Sequence, residues 1–548
     1  MLIYRDVRHH RRTSLLLLQL QQSLAAEDPL APLLLAGELE CGLADALEDA
    51  HPARALSAAL TDCLATRLLH GTAELPDLAA LEQCPLPESI QLSPPEGFAY
   101  YGLHPRAYVD LLDSLLPDWH RPLSVIGIRS IGTTLSAVVV AALLGRGASA
   151  SRMTVRPGGH PFDRKLVLTP LQQQWLKPAL RDGAQFLVVD EGPGLSGSSF
   201  LSVGEALVAQ GARPDDVTFI CNREADPSTL CAPHAARRWS RFRACAANAT
   251  YKPTDATQWI GAGNWRTRTS MSAMVGDCEL PVWPQTERNK FLSRDRSFLY
   301  KFEGFGQYGE AAMARARAMA SAGFAPPIVG FDEATGYAAY EVTTGKRARR
   351  ADFSEQFLRH AAKYCAWRSQ MFPAEVSGIE QVSLATMTEI NLEKEFGVEC
   401  DLGSELDTAN PVFCDGRMMP PEWVITPVGS WVKTDGASHG DDHFFPGPCD
   451  IAWYMAGAIV EWQMSPSAGD FFCRAYQQLS GDDVRRRLPA YLLAYSMFRL
   501  GFCRMAEAAL GAGEEGAGFR RASIRYEHVA CRHLRTRNPQ SAAAQISA

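Results

Sequence analysis

The segment FLVVDEGPGLSGSSF, Phe186 to Phe200, decides how this chain of 548 residues is interpreted. Its first four residues are apolar and indicate a buried strand. Two adjacent acids, Asp190 and Glu191, follow that strand, and a turn of Gly, Pro and Ser then leads into a helical pattern. A helix N-terminus accepts phosphate, whereas paired carboxylates suit sugar hydroxyls or Mg²⁺. The segment therefore predicts a site for a ribose 5-phosphate.

Short apolar segments alternate with helical patterns on both sides of this site. Strands are predicted at 123–128, 152–156, 186–190 and 217–221. Strands separated by helices of this length imply crossovers and a parallel sheet, so this part of the chain is predicted to be α/β. Ligands of such sheets bind beyond the carboxyl ends of the strands, which is where Asp190 and Glu191 lie.

The same segment resembles the signature of type I phosphoribosyltransferases: a strand, two acids, a turn, and a Thr-Gly-x-Thr motif or its Ser variant. The resemblance implies that Asp190 and Glu191 are catalytic residues that hold the ribose hydroxyls. It also implies that the phosphate binds to the serine turn, formed by Ser196, Gly197, Ser198 and Ser199. The stretch between the acids and this turn is one residue longer than in the usual pattern.

A second stretch, GIRSIGTTLSAVVVAAL from Gly127, resembles the pyrophosphate-binding loop of the same family. Four residues of this diphosphate loop would bind the leaving group: Arg129, Ser130, Gly132 and Thr133. The segment from Val155 to Lys165 falls where the family carries a mobile hood, with Gly158 and Gly159 as its hinge. The implied reaction is phosphoribosyl transfer from phosphoribosyl diphosphate, with Mg²⁺, to an unidentified acceptor.

The stretch from Leu299 to Phe331, followed by YAAYEV, resembles the small lobe of aminoglycoside- and choline-kinase-like proteins, whose fold is protein-kinase-like. The resemblance implies an α+β domain with ATP as substrate. Lys301 would bind the nucleotide phosphates, and Glu310 would orient Lys301. A glycine-rich loop with the protein-kinase spacing is absent from the sequence.

Residues 414–462 resemble the catalytic and metal segments of the same superfamily, with clear departures. Asp415 would be the catalytic base and Asp435 a metal ligand, while Phe413 stands in the usual His position. Glu422 best matches the metal-binding Asn, two residues late. A cluster of acids and histidines follows Asp435, and it would supply extra metal ligands or form a polar loop: His439, Asp441, Asp442 and His443.

The composition restricts the class of protein. With 54 basic and 61 acidic residues the formal net charge is −7, which argues against a protein that coats nucleic acid. The sequence has no apolar run long enough to predict a membrane span. The 14 cysteines form no CxxC pair, which favours reduced thiols and a cytoplasmic location.

These observations predict a multidomain chain. The expected parts are a helical amino-terminal module (1–94), a phosphoribosyltransferase-like domain (95–255) and a kinase-like domain with a helical carboxyl-terminal lobe (256–548). The preferred interpretation is a fusion of two enzymes that act on small molecules. The alternative is a regulatory or scaffold protein that senses a nucleotide or phosphoribosyl diphosphate. The helical module would pack against the sheet or form a homodimer.

Overall fold

The computed structural model describes residues 1–25, 28–71, 73–74, 78–115, 121–268, 280–408, 410–413, 417–438, 440 and 444–537. Within these ranges the chain forms a parallel sheet, antiparallel sheets and many helices, so the protein is of mixed α/β class. No helix in the described ranges combines the length and the apolar character that crossing a membrane requires.

The strands are, in chain order, β1 (Arg8–Arg12), β2 (Ser89–Leu92), β3 (Leu123–Ile128), β4 (Ala150–Val155), β5 (Gln185–Val189), β6 (Val217–Cys221), β7 (Arg243–Ala246), β8 (Ala256–Trp259), β9 (Lys290–Ser293), β10 (Phe298–Phe302), β11 (Ile328–Asp332), β12 (Tyr337–Glu341), β13 (Lys346–Arg347), β14 (Ile379–Glu380), β15 (Trp423–Ile425) and β16 (Trp431–Lys433). The α-helices are α1 (Thr13–Ser23), α2 (Leu30–Ala46), α3 (Pro52–His70), α4 (Leu78–Glu82), α5 (Arg106–Leu115), α6 (Ile131–Gly145), α7 (Pro170–Arg181), α8 (Ser198–Ala209), α9 (Ala235–Trp239), α10 (Trp265–Arg268), α11 (Gly306–Ser321), α12 (Glu355–Met371), α13 (Leu384–Phe396), α14 (Gly403–Leu406), α15 (Ala452–Glu461), α16 (Pro466–Ser480), α17 (Leu488–Leu510) and α18 (Glu514–Arg537).

The predicted parallel sheet is confirmed. Its strands lie in the order β4-β3-β5-β6-β7, and every neighbouring pair is parallel. The last of these strands, β7, is not predicted from the sequence. The chain leaves β3 to form β4 on one side and later returns to form β5 on the other side. This reversal creates a switch point between the carboxyl ends of β3 and β5, where doubly wound sheets bind their ligands.

Both faces of the parallel sheet are buried, as continuous apolar strands require. Val125, Leu187 and Val189 face a core that also contains α2, α3 and α6. Their neighbours Ile126 and Val188 face a second core beneath α7 and α8. The amino-terminal helices therefore pack against the parallel sheet, which is one of the two roles predicted for them.

The basic and leucine-rich sequence of residues 8–25 predicts one helix. Its leucine-rich part forms α1, but the basic residues before it form the strand β1. Strand β1 pairs antiparallel with β2 and with β14. Strand β2 belongs to the proline-rich segment Cys84–Phe98, which the sequence predicts to be a linker, and β14 belongs to the carboxyl-terminal half. The amide of Asn391 bonds both the backbone N–H and the carbonyl of Leu2. The chain start thus ties distant segments together, and the predicted domain boundaries remain predictions.

The carboxyl-terminal half contains a five-stranded antiparallel sheet in the order β11-β12-β10-β9-β8. The sequence predicts a hairpin over Lys290–Gly304 and a second one around Pro427–Gly429, and the structure confirms both, as β9–β10 and β15–β16. Helix α11 follows β10, and the large helices from α12 to α18 form a separate hydrophobic core. This arrangement gives a small sheet-rich part and a larger helical part, and residues 435–438 contact both parts.

The amino-terminal helices are fixed to the sheet by a buried ion pair. Arg152 of β4 contacts Glu40 of α2 at 2.7 Å and Asp62 of α3 at 2.5 Å. The Arg152 and Glu40 side chains are only 4% and 5% exposed. We expect Arg152→Met to lower the free energy of unfolding by about 3–5 kcal/mol, because it leaves the Glu40 carboxylate buried without its cation. Urea denaturation followed by circular dichroism measures this loss.

The matched control is Arg181→Met. The Arg181 side chain is 77% exposed and pairs with Asp182, so the change should stay below about 1 kcal/mol. An equal loss for both variants would show that the buried pair does not hold the helices to the sheet.

Candidate functional site

The two predicted loops of the first site meet at the switch point of the parallel sheet. Asp190 and Glu191 directly follow β5, and Arg129 and Ser130 directly follow β3. A side chain at Gly132 would place its Cβ 2.5 Å from the carbonyl oxygen of Val189, so only glycine permits this approach. The two loops that the sequence places far apart are therefore in direct contact.

The diphosphate loop has an unusual backbone at its centre. Ser130 has a φ of 105°, a conformation that non-glycine residues rarely adopt. Strain of this kind persists where the surrounding structure imposes it, and it concentrates at ligand-binding loops. Thr133 is fully buried on the first turn of α6, and its hydroxyl has no hydrogen-bond partner among the described residues.

The two acids are partly buried and held in fixed positions. The backbone N–H of Gly97 donates to Glu191 Oε2 at 2.8 Å, and the N–H of Glu191 donates to Asp190 Oδ1 at 2.9 Å. The hydroxyl of the buried Tyr108 donates to the carbonyl oxygen of Asp190 at 2.6 Å. Because each carboxylate retains an oxygen with no partner among these contacts, both acids can still bind a ligand.

Burial changes the ionisation of both acids. It raises the pKa of Asp190 to about 7, even though the N–H of Glu191 stabilises the charged form. It likewise raises the pKa of Glu191 to about 7, against the hydrogen bond from Gly97 and the positive charge of Arg223. The site is therefore poised to gain or lose protons near neutral pH, as functional carboxylates often are.

The serine turn leads into α8 as predicted, since Ser198 is the first residue of that helix, and the hood contacts the turn through Pro161. The hydroxyls of Ser196 and Ser198 are 3.0 and 2.8 Å from the carbonyl oxygen of Pro161, to which both can donate. Gly197 takes a left-handed conformation with φ 68°, and Ser199 lies in the first turn of α8. The hydroxyls thus already bind an oxygen atom, the kind of partner that a phosphate offers.

Two arginines of the predicted diphosphate site share one carboxylate. Arg129 donates to Asp45 at 2.9 Å, and Arg156 of the hood also pairs with Asp45. Asp45 belongs to α2, so the amino-terminal helices contribute to this site. Sequence reasoning missed Asp45, because nothing in the local pattern of α2 distinguishes it from an ordinary surface acid.

The second candidate site is centred on Lys301 of β10. Its ammonium lies 2.5 Å from Asp435 Oδ1, 3.2 Å from Glu303 Oε1 and 2.8 Å from the hydroxyl of Ser438. The hydroxyl of Tyr340 donates to Glu303 at 2.6 Å. The structure therefore brings together the predicted lysine and the predicted metal ligand.

Glu310 does not lie at Lys301. It is exposed on α11, and Glu303, two residues beyond the lysine, pairs with Lys301 instead. Because Lys301 and Glu303 are two apart on an extended segment, both point to the same side. The prediction of Glu310 as the partner of Lys301 was wrong. It came from the resemblance, which implies a glutamate on the following helix, and no sequence pattern marks Glu303 as a partner of Lys301.

The remaining predicted residues of this site are only partly described. Glu422 accepts a bond from the ammonium of Lys433 at 2.8 Å, so a metal role would require it to exchange this partner. Asp415 lies outside the described residues, as does the cluster of His439, Asp441, Asp442 and His443. Within the described ranges, no three His, Cys, Asp or Glu side chains converge on a metal site.

Arg368 joins the segments on either side of this site. Its buried guanidinium donates to the carbonyl of Phe413 at 3.0 Å and to the carbonyl of Gly436 at 2.9 Å. Phe413 precedes the predicted catalytic residue, and Gly436 follows Asp435. Arg368 lies on the buried face of α12, and an arginine on an apolar face is the sequence signal that was missed.

A single short segment contacts both sites. The π-helical turn Gly97–Tyr101 caps Glu191 through the N–H of Gly97, and the carbonyl of Ala99 accepts from Arg288 at 3.3 Å. Arg288 also donates to the carbonyls of Glu303 and Ser438 at 3.2 and 2.9 Å. The sequence predicts a linker over Cys84–Phe98, and its last two residues belong to this turn, which is largely buried and bonded to both sites.

The raised pKa values of the two acids predict a pH-dependent stability. A carboxyl with a higher pKa in the folded chain binds more protons when folded, so stability falls as pH rises from about 4 to about 7. We expect Asp190→Asn/Glu191→Gln to melt at a higher temperature than the natural chain at pH 8. The gain should shrink at pH 5, where the natural acids are largely neutral.

Thermal unfolding at both pH values measures this effect. Asp182→Asn, which replaces an exposed acid just before β5 at the opposite end of the sheet, is the control and should show no such difference. A gain of the same size at pH 5 and pH 8 would contradict the assigned ionisation.

No protein-family model matches the sequence, and no curated protein matches it. Solved structures with partial similarity are named as choline or ethanolamine kinases. A choline/ethanolamine kinase family protein from Mesorhizobium loti is 15% identical, with 45% of this chain and 88% of that chain covered and a TM-score of 0.33. An ethanolamine kinase from Plasmodium vivax is 13% identical, with 44% and 78% covered and a TM-score of 0.30. TM-scores of this size establish no shared fold, and these comparisons give no support to the phosphoribosyltransferase resemblance.

Proposed function

We propose that the switch-point site of the parallel sheet transfers a phosphoribosyl group from phosphoribosyl diphosphate to a small-molecule acceptor. The observation that supports this most directly is the meeting of the diphosphate loop and the paired acids at the switch point. Gly132 lies against Val189, so a ligand bound by one loop would lie close to the other. The serine turn at the start of α8 supplies the third element.

Each element would have a separate task. Asp190 and Glu191 would hold the ribose hydroxyls and oppose the positive charge that develops on the sugar as diphosphate leaves. The serine turn would exchange the Pro161 carbonyl for the 5-phosphate, using the same two hydroxyls. Arg129 and Arg156 would balance the charge of the leaving diphosphate. Mg²⁺ would supply further charge neutralisation, and its oxygen preference fits the two carboxylates.

Release of diphosphate tests this proposal. The purified chain is incubated with Mg²⁺, phosphoribosyl diphosphate and a panel of nitrogenous bases, and diphosphate is measured. We expect Asp190→Asn/Glu191→Gln to lower the rate at least about 100-fold, because the neutral amides cannot stabilise a cationic ribose.

Asp182→Asn is the matched control and should retain the full rate. Circular dichroism confirms that each variant is folded. Diphosphate release that persists unchanged in the double variant would place the reaction elsewhere. Binding of phosphoribosyl diphosphate without any release would favour the sensor interpretation.

We also propose an ATP-dependent phosphotransferase activity for the antiparallel half, on a small molecule that is not identified. The contact of Lys301 with Asp435 supports this second function, because it joins a phosphate-binding cation to a metal-binding carboxylate. Arg368 would position the catalytic segment through the carbonyls of Phe413 and Gly436, in place of the absent histidine.

The choice between Glu303 and Glu310 gives a direct test. We expect Glu303→Gln to slow ATP turnover about 10-fold or more, because Lys301 loses a charged partner. Glu310→Gln, on the exposed face of α11, should leave turnover unchanged. Turnover is measured with small alcohols, amino alcohols and ribosyl phosphates as acceptors. ATP turnover that survives Asp435→Asn would overturn the site itself.

A further inference from the structure

Lys301 has a direct partner across the sheet. In the antiparallel pairing of β9 with β10, Lys290 is opposite Lys301. Side chains of directly opposed residues project from the same face, with their Cβ atoms about 4.5–5.5 Å apart. The two lysines therefore point together, and both reach one carboxylate: the Lys290 ammonium lies 2.6 Å from Asp435 Oδ2, and that of Lys301 lies 2.5 Å from Oδ1.

Two ammonium groups in a shielded site are a costly arrangement. The side chains of Lys290 and Lys301 are 19% and 4% exposed. Two like charges that contact the same carboxylate repel each other strongly when water is excluded. Folding alone does not require the second lysine, because Lys301 already pairs with Glu303 and Asp435. A ligand with several negative charges would pair with both ammonium groups, and this would explain why Lys290 is present.

The turn that would normally cover such a ligand is already engaged. Protein kinases cover the nucleotide phosphates with a glycine-rich loop after the first strand of the sheet. Here β8 is the first strand of the antiparallel sheet in chain order, and the short turn of Gly261 to Gly263 follows it. The N–H of Ile260 donates to the carbonyl of Lys290, so the turn lies beside the lysine. The N–H of Ala262 donates to the carboxylate of Glu287 at 2.5 Å. This N–H is therefore already bonded to an anionic side chain of the protein and does not point to a phosphate.

We propose that Lys290 is a second phosphate-binding lysine, which with Lys301 clamps the terminal phosphates of a nucleoside triphosphate. This inference rests on the proposed phosphotransferase function. Without nucleotide the two ammonium groups neutralise Asp435. With nucleotide they contact phosphate oxygens, within reach of their flexible four-carbon stems, and Asp435 becomes available to Mg²⁺.

Binding of ATP and AMP to the full chain tests the clamp by calorimetry in the presence of Mg²⁺. We expect Lys290→Met to weaken ATP binding about 10- to 100-fold, the loss that a charge-assisted contact predicts. AMP lacks the terminal phosphates, so its affinity should change less than about threefold. Lys290→Arg retains the cation and should recover part of the ATP affinity.

Lys346→Met is the matched control, because Lys346 is another strand lysine paired with an aspartate, Asp352. It should bind ATP as the natural chain does. If Lys290→Met does not fold, Lys290→Gln replaces it. Equal losses of ATP and AMP affinity, or no loss, would overturn the clamp alone. A natural chain that binds no ATP would overturn both the phosphotransferase proposal and the clamp.

Discussion

The burial of helix α6 on all sides is the constraint on which the first half of the structure depends. Its residues from Ile131 to Leu143 are all buried, and a helix that is apolar all round must be covered on every face. The sheet covers one side, and α2 and α3 cover another, which places the amino-terminal helices within the same core. Because the diphosphate loop leads directly into α6, this packing also fixes Ser130 and Gly132 beside the acids.

A second constraint links the halves of the chain. The turn Gly97–Tyr101 lies between the two candidate sites, with its first N–H on Glu191 and its carbonyl groups on Arg288 and Asn289. Arg288 is buried and bonds the segments that carry Glu303 and Ser438. A series of hydrogen bonds therefore connects Glu191 with the segments around Lys301.

The arrangement of the first candidate site was largely predictable, because its residues are concentrated in continuous segments. Asp190, Glu191 and the serine turn stand within ten residues of one another, and the strand before them marks which end of the sheet they occupy. The second site was less predictable. Glu303, Lys290 and Arg368 reach the second candidate site through contacts across strands or between distant segments, and the register of β9 with β10 cannot be read from either strand alone.

Local periodicity and turn residues encode the alternation of strands and helices, the parallel sheet and the position of the acids, so these features can be read from the amino-acid order. Which charges meet depends on the folded chain. Asp45 reaches Arg129 and Arg156 from a helix that precedes them by many residues, and Glu303 rather than Glu310 pairs with Lys301. The physical reason is that ion pairs depend on distance in space and on burial, and both are set by packing between segments.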